Sequence, residues 1–304
     1  MSRRATVVGV GLIGGSIGLA LREKGWHVSG VDLNPAHLNR ALELEAIDAT
    51  GWDSEAEITF IATPVSTVAP LVEEALEKSP LGVVTDAGSV KHPIVQQIKH
   101  KRFIGGHPMA GSEQEGVDGA TATMFIDTNW VLTPTELTED QEFAIIREVV
   151  TSFGAEVVTL SPERHDALVA TVSHVPHLTA ATLMGLASAQ SEEHYAVLRL
   201  AAGGFRDMTR VAAGNPSIWP DICKENSEAI TDVLDDLIEG LSHVRNEIAK
   251  EDKEALLKRL ETARQARISL PTGAPRSSEL IEVRVPIPDR KGELAAIFAL
   301  ATDL

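Results

Sequence analysis

The chain of 304 residues is 43% hydrophobic and 23% charged, enough apolar material for two moderate cores and too much for a disordered chain. Its 44 acidic residues against 27 basic ones give a formal charge of -17, which repels nucleic-acid phosphates and anionic lipid, so an anionic ligand must meet a local cationic site. The single cysteine, Cys223, forms no internal disulfide, and no Cys/His spacing fits a structural zinc site; a reducing cytoplasm is the expected setting.

Arg3 and Arg4 precede an uncharged run, Ala5 to Leu21, with the outline of a signal peptide, but its five glycines argue for a turn inside a folded domain. Through the first half, β-branched runs alternate with helical periodicity, the pattern of a parallel sheet built from βαβ units. Strands are expected at Ala5 to Val10, His27 to Asp32, Ile58 to Thr63, Gly82 to Asp86 and Phe103 to Gly106, with helices at Asn34 to Leu44 and Val68 to Leu76 between them. A strand at Asn129 to Thr133, a helix near Glu139 to Phe153 and a strand at Glu156 to Leu160 complete a nucleotide-binding domain over residues 1–160.

Strand signals then stop, and long helical patterns through residues 161–268 predict a second, all-helical domain. Within it Ala167 to Ser191 carries no Asp, Glu, Lys or Arg but holds His174, Pro176 and His177, which predicts a buried helix rather than a membrane span. Pro271, Gly273 and Pro275 mark 269–278 as a linker. Beyond it Glu279 to Val285 alternates like a strand and Glu293 to Leu304 has helical character, too little to bury both faces of a sheet.

Gly9-Val10-Gly11-Leu12-Ile13-Gly14 follows a predicted strand and opens a helix, the context a dinucleotide-binding glycine motif requires. Gly9 permits the tight turn, Gly11 lets backbone approach a pyrophosphate, Gly14 lets helix pack on strand, and the amides from Leu12 and Ile13 onward face the anion. Asp32 stands 18 residues after Gly14 at the end of the second strand, where a carboxylate accepts hydrogen bonds from ribose hydroxyls and repels a 2'-phosphate; NAD is expected over NADP.

Chemistry is expected in three loops at the carboxyl ends of strands: Ala62-Thr63-Pro64, Asp86-Ala87-Gly88-Ser89-Val90-Lys91, and Gly106-His107-Pro108-Met109-Ala110-Gly111-Ser112-Glu113. An alcohol oxidised by hydride loss must release its hydroxyl proton, and His107 is the candidate base, with Ser89 able to bond the same hydroxyl. In the helical half Ser173 and His177 are four residues apart and share a face, and Pro176 removes the helical bond to Val172, which predicts a bend. The two histidines of that stretch have no third ligand, so no metal is expected. Gly204-Phe205-Arg206-Asp207-Met208-Thr209-Arg210 offers guanidinium groups suited to a carboxylate.

These motifs, with Gly9 to Ser16, Asp86 to Lys91, Gly106 to Gly111, Ser173-His174-Val175-Pro176-His177 and Gly204 to Arg210 in order, resemble the prephenate and arogenate dehydrogenase family of tyrosine biosynthesis from the N-terminus to about Arg267. The resemblance implies a Rossmann-type α/β domain followed by an all-helical dimerisation domain, and hence a homodimer. It implies NAD-dependent oxidative decarboxylation of prephenate, with arogenate dehydrogenase as the alternative; the rivals outside the family are a β-hydroxyacid dehydrogenase or imine reductase and a non-catalytic NAD sensor. By that resemblance His107 accepts the hydrogen bond of the ring hydroxyl, Ser89 assists, Arg210 holds the ring carboxylate, Ser173 and His177 line the pocket near the side chain, and Glu113 and Trp219 sit close to it. The tail from Val283 to Leu294 resembles the opening of an ACT domain, with Lys291 where proline is common, which makes tyrosine a candidate inhibitor.

Overall fold

The computed structural model describes residues 2–112, 114–193 and 199–270. Glu113 and the predicted linker and ACT-like segment from residue 271 onward lie outside the described residues.

Eight strands form one sheet: β1 (Arg4–Val8), β2 (His27–Val31), β3 (Ala49–Thr50), β4 (Ile58–Ile61), β5 (Val83–Asp86), β6 (Phe103–Pro108), β7 (Asn129–Thr133) and β8 (Glu156–Thr159). Every residue of β4, β5 and β6 is buried, as strands covered by helices on both faces must be. The order is β3-β2-β1-β4-β5-β6-β7-β8, so the winding reverses between β1 and β4 and opens a crevice at their carboxyl ends.

Two features depart from the sequence reading. The two-residue β3 is too short to carry a periodicity signal. The β6–β7 pair is antiparallel: among the described residues the connection holds one 3-10 turn, Val117–Gly119, and no crossover helix to return the chain in parallel. Beneath this corner Phe60, Phe125, Trp130 and Phe153 pack with ring centroids 5.0 to 6.2 Å apart.

The helices α1 (Leu12–Glu23), α2 (Pro35–Glu43), α3 (Val65–Lys78), α4 (His92–Gln97) and α5 (Asp140–Ser152) cover the sheet. In α1, Ile17, Ala20 and Leu21 turn inward, and in α3 Val65, Val68, Ala69, Val72 and Ala75 do so, each a helical stripe docked on β-branched residues of the sheet. Asn34 and Pro35 start α2: the Asn34 carboxamide accepts from Ala36 N, and the proline sits where an amide would have no partner.

The second half is helical: α6 (Pro162–Val169), a π-helical turn (Ala170–His174), α7 (Val175–Glu193), α8 (Gly203–Thr209), α9 (Trp219–Glu225), α10 (Ser227–Ala249) and α11 (Lys253–Ile268). The Ser161 hydroxyl accepts from Arg164 N and caps α6. A π-helical turn lies just ahead of Pro176, whose missing N–H leaves the Val172 carbonyl without its α-helical donor.

One expectation is corrected. The uncharged helix is not buried by the described residues: Val172 is 65% and Leu186 59% exposed, and Ile238, Leu241, Ile248, Leu257 and Leu260 on α10 and α11 are exposed too. The core of this half is small, Ala170, Val175 and Ile230 with a few partly buried neighbours, so the described residues leave much of its apolar surface uncovered. Pro162 to Ala189 is long and apolar enough, by length and composition, to cross a membrane. Yet His165, Asp166 and His174 within it are buried and hydrogen-bonded to polar groups of neighbouring elements, which lipid does not offer.

Candidate active site

The turn after β1 is built by steric exclusion. Gly9 has φ +84°, and a Cβ there would lie 2.5 Å from the Ala62 carbonyl oxygen. At Gly14 a Cβ would stand 1.8 Å from the Gly9 oxygen, so helix and strand touch only because that position is glycine. At Gly11 the same construction meets nothing within 4 Å, which leaves open space in front of the backbone amides that begin α1. This is a cradle for an anionic group: uncapped amides, a helix N-terminus and room for a phosphate. At the tip of β2, Asp32 accepts from Val10 N (3.0 Å) and Asn34 N (2.8 Å), with His37 Nδ1 3.3 Å from Oδ1. The chain thus has the features that NAD requires, a phosphate cradle and a carboxylate for the ribose.

A cleft of about 430 Å³ runs from this turn, lined by Gly11, Leu12, Ile13, Thr63, Pro64, Ser89, His107, His177 and Trp219. It continues into a second cleft of about 480 Å³, where Ser89, His107 and Trp219 recur and Ser173, His174 and Arg210 join them. The helical half therefore meets the carboxyl ends of four strands, β1, β4, β5 and β6. Trp219 stacks on His177 at 3.7 Å between centroids and meets His174 edge-on at 6.1 Å, so aromatic contacts set the wall of the clefts.

His107 lies on β6, 8% exposed, and its Nδ1 is 2.8 Å from Nε2 of His165 on α6. Nδ1 of His165 is in turn 2.7 Å from Asp166 Oδ1. A carboxylate only accepts, so the chain of donors assigns N–H to His165 Nδ1 and to His107 Nδ1, and leaves His107 Nε2 as the basic ring nitrogen. Burial, reinforced by His165, Lys91 and His174, holds His107 well below the ordinary histidine value of 6.5; the ring is neutral at physiological pH. His165 is lowered mainly by burial against the opposing pull of Asp166. His174 is pushed down to about 4, again mainly by burial.

The loop bearing Ser89 is anchored by Asp86. Its Oδ2 accepts from Gly88 N and pairs with the fully buried Lys91 ammonium, and its Oδ1 accepts from Gly106 N beside His107. Burial lowers Lys91, with Asp86 opposing that shift.

The structure brings Ser89, His107, Ser173, His177, Arg210 and Trp219 around the joined clefts, with Gly11, Leu12, Ile13, Thr63 and Pro64 along the nucleotide side. Gly9 and Gly14 sit beneath the turn and Asp32 at the tip of β2, away from the lining. Glu113 lies outside the described residues. Sequence reasoning missed His165, Asp166 and Asn226. A His-Asp pair in the first turns of a capped helix was the available signal, and it is indistinguishable from a solvated polar face until burial is known. Among the described residues no group of three histidine, cysteine or carboxylate side chains is placed to hold a metal.

Two family models match in tandem: "Prephenate dehydrogenase, nucleotide-binding domain" over residues 17–159 and "Prephenate dehydrogenase, dimerization domain" over residues 161–262. The chain belongs to the prephenate dehydrogenase family. A prephenate dehydrogenase of Bacillus subtilis (strain 168) is 35% identical over 311 residues, covering 97% of this chain and 83% of that protein. The crystal structure of prephenate dehydrogenase from Aquifex aeolicus with hydroxyphenyl propionate and NAD+ is 30% identical, covers 88% of this chain and 98% of that one, and has a TM-score of 0.81. A Synechocystis arogenate dehydrogenase structure is 32% identical over 87% of this chain and 98% of that one, with a TM-score of 0.73. As a member of this family the chain is an NAD-dependent oxidoreductase with a Rossmann-type domain and a helical dimerisation domain.

Glycine geometry and histidine burial each lead to a measurable outcome. Gly11→Ala should leave the melting temperature unchanged and weaken NAD binding in calorimetry, whereas Gly14→Ala should lower the melting temperature as well, because its methyl group has no space. Acid should destabilise the fold through His174: the unfolded chain takes up a proton near pH 6.5 that the folded chain refuses until about pH 4. Stability therefore falls as pH drops through that window, by about 3 kcal/mol from this group. Urea titrations at pH 7 and pH 5 should show a steeper loss in the parent than in His174→Asn.

Proposed function

We propose that the chain oxidises prephenate with NAD and releases carbon dioxide, giving 4-hydroxyphenylpyruvate. The observation that carries this reading is a neutral imidazole, His107, whose second ring nitrogen is held by His165, at the junction of a nucleotide cleft and a cleft that contains an arginine. NAD, when bound, accepts the hydride from the ring carbon that bears the hydroxyl.

His107 Nε2 takes the hydroxyl proton as that carbon becomes a carbonyl, and Ser89 donates to or accepts from the same oxygen. The ring carboxylate leaves as carbon dioxide, its bonding electrons complete the aromatic ring, and the phenolate oxygen recovers the proton from His107. Atoms and charge balance without further reactant. Arg210 holds the ring carboxylate until it departs, and Ser173, His177 and Trp219 flank the side chain. Thr63 and Pro64, with Gly9 to Gly14 and Asp32, hold the coenzyme.

Arogenate is the second reading, favoured by the similarity to the Synechocystis enzyme at comparable identity. The helical half is the dimer-forming part, and the exposed apolar residues of α7, α10 and α11 are the surface a second copy covers. A cytoplasmic setting and tyrosine inhibition through residues 279–304 complete the proposal.

With purified protein, NADH absorbance should rise with NAD and prephenate and much more slowly with arogenate; faster reduction with arogenate would transfer the assignment to the second reading, and no reduction with either would overturn the function. His107→Ala should lower kcat by about 1,000-fold while NAD still binds, and Arg210→Ala should chiefly raise KM, by about 10- to 100-fold. The acid limb of kcat/KM should lie below pH 6.5, since His107 is shifted downward. Light scattering should give twice the chain mass; a monomer would remove the dimer from the proposal.

A further inference from the structure

We propose that Asp166, from the helical domain, is the positioning residue that fixes the orientation and ring tautomer of His107 in the nucleotide-binding domain. The inference rests on the reading of His107 as the base.

Three N–H groups converge on the Asp166 carboxylate. Lys91 N donates to Oδ1 at 2.8 Å, His92 N to Oδ2 at 2.8 Å, and His165 Nδ1 to Oδ1 at 2.7 Å. The first two are amides at the start of α4, which has no side-chain cap of its own; the cap arrives from a residue 75 positions later in the chain. A carboxylate held through both oxygens by two backbone amides cannot rotate, so the direction in which Oδ1 meets His165 is set by the nucleotide-binding domain. The Asp166 carbonyl adds a third anchor, accepting from Asn226 Nδ2 at 2.9 Å, and Asn226 Nδ2 lies 3.2 Å from His174 Nδ1. Asp166 is 5% exposed and His165 fully buried, so water does not compete for these bonds.

The chemical consequence concerns where positive charge resides during turnover. Once His107 Nε2 has taken the substrate proton, its Nδ1 proton can pass to His165 Nε2, and an imidazolium then stands 2.7 Å from a carboxylate. Without that carboxylate the charge would stay on a buried ring that also faces His165, His174 and the Lys91 ammonium, with Asp86 already engaged by that lysine. A residue that only capped α4 would influence folding and leave the rings' protonation pattern alone.

The test uses the full chain with NAD bound and nitrogen-15 histidine. Ring-nitrogen spectra of the parent should show both His107 and His165 protonated at Nδ1. Asp166→Asn should lose or mix that pattern, with kcat down about 100-fold and the KM for prephenate and Kd for NAD within about threefold. A parent spectrum with His107 protonated at Nε2 overturns the proposal, as does an Asp166→Asn enzyme with parental kcat. If that variant does not fold, the parent spectrum decides alone. Because the spectrum needs no turnover, its result is separable from that of His107→Ala, which tests the base itself.

Discussion

The geometry of the clefts depends on one buried carboxylate, Asp86, at the carboxyl edge of the sheet. With no exposure to water it accepts from Gly88 N, Gly106 N and the Lys91 ammonium, so the loop of Ser89, the strand of His107 and the entry to α4 are tied to a single point. A buried ion pair adds little net stability, because desolvation of both charges offsets their attraction; removing one partner would cost about 3 to 5 kcal/mol. Its value here is geometric. Gly106 lets the strand pass close to Asp86 and Gly105 lets it pass close to β7, since a Cβ at Gly106 would fall 2.5 Å from the Asp86 carbonyl oxygen and one at Gly105 2.4 Å from Thr133 Oγ1.

From that point the coupling runs to the second domain. The amide of Lys91, whose ammonium pairs with Asp86, bonds Asp166, and Asp166 holds His165, which holds His107. The path leaves β5, crosses to α6 and returns to β6. Its members are buried, so each bond is made in a medium where a missing partner is costly, and the network favours one arrangement over looser ones.

What the sequence made legible follows from how local each signal is. The β1 turn, the strands through β6 other than the two-residue β3, and the glycine positions declare themselves within a few residues, because alternation is local and a positive φ or a helix–strand contact excludes side chains at fixed positions. The antiparallel β7 was not legible, since strand direction depends on the path of a 20-residue connection and not on alternation within Asn129–Thr133. His107 and Ser89 were readable from their place at the carboxyl ends of strands. His165 and Asp166 were not, because their importance lies in contacts 58 and 75 residues distant in sequence, to His107 and Lys91. The uncharged helix was read as buried for a sound reason, apolar surface must be covered, but the described residues of one chain do not supply the cover.

An acidic protein must still receive anions, and the arrangement resolves this locally. The start of α1 offers neutral amides to a dinucleotide, with partial positive charge that arises from backbone and not from lysine. In the proposed reaction the ring carboxylate meets Arg210, a permanent cation, at the cleft lined also by the neutral His107. The division is physically necessary: a group that must hold an anion until it leaves as a neutral gas should keep its charge at all pH values, whereas a group that must take and return a proton should start uncharged. Burial and the nearby Lys91 keep His107 in that uncharged state, and the same burial would make it a poor base standing alone. A carboxylate supplied across the domain boundary offsets that penalty at the moment the ring becomes charged, without adding a negative group to the cleft where an anionic substrate must bind.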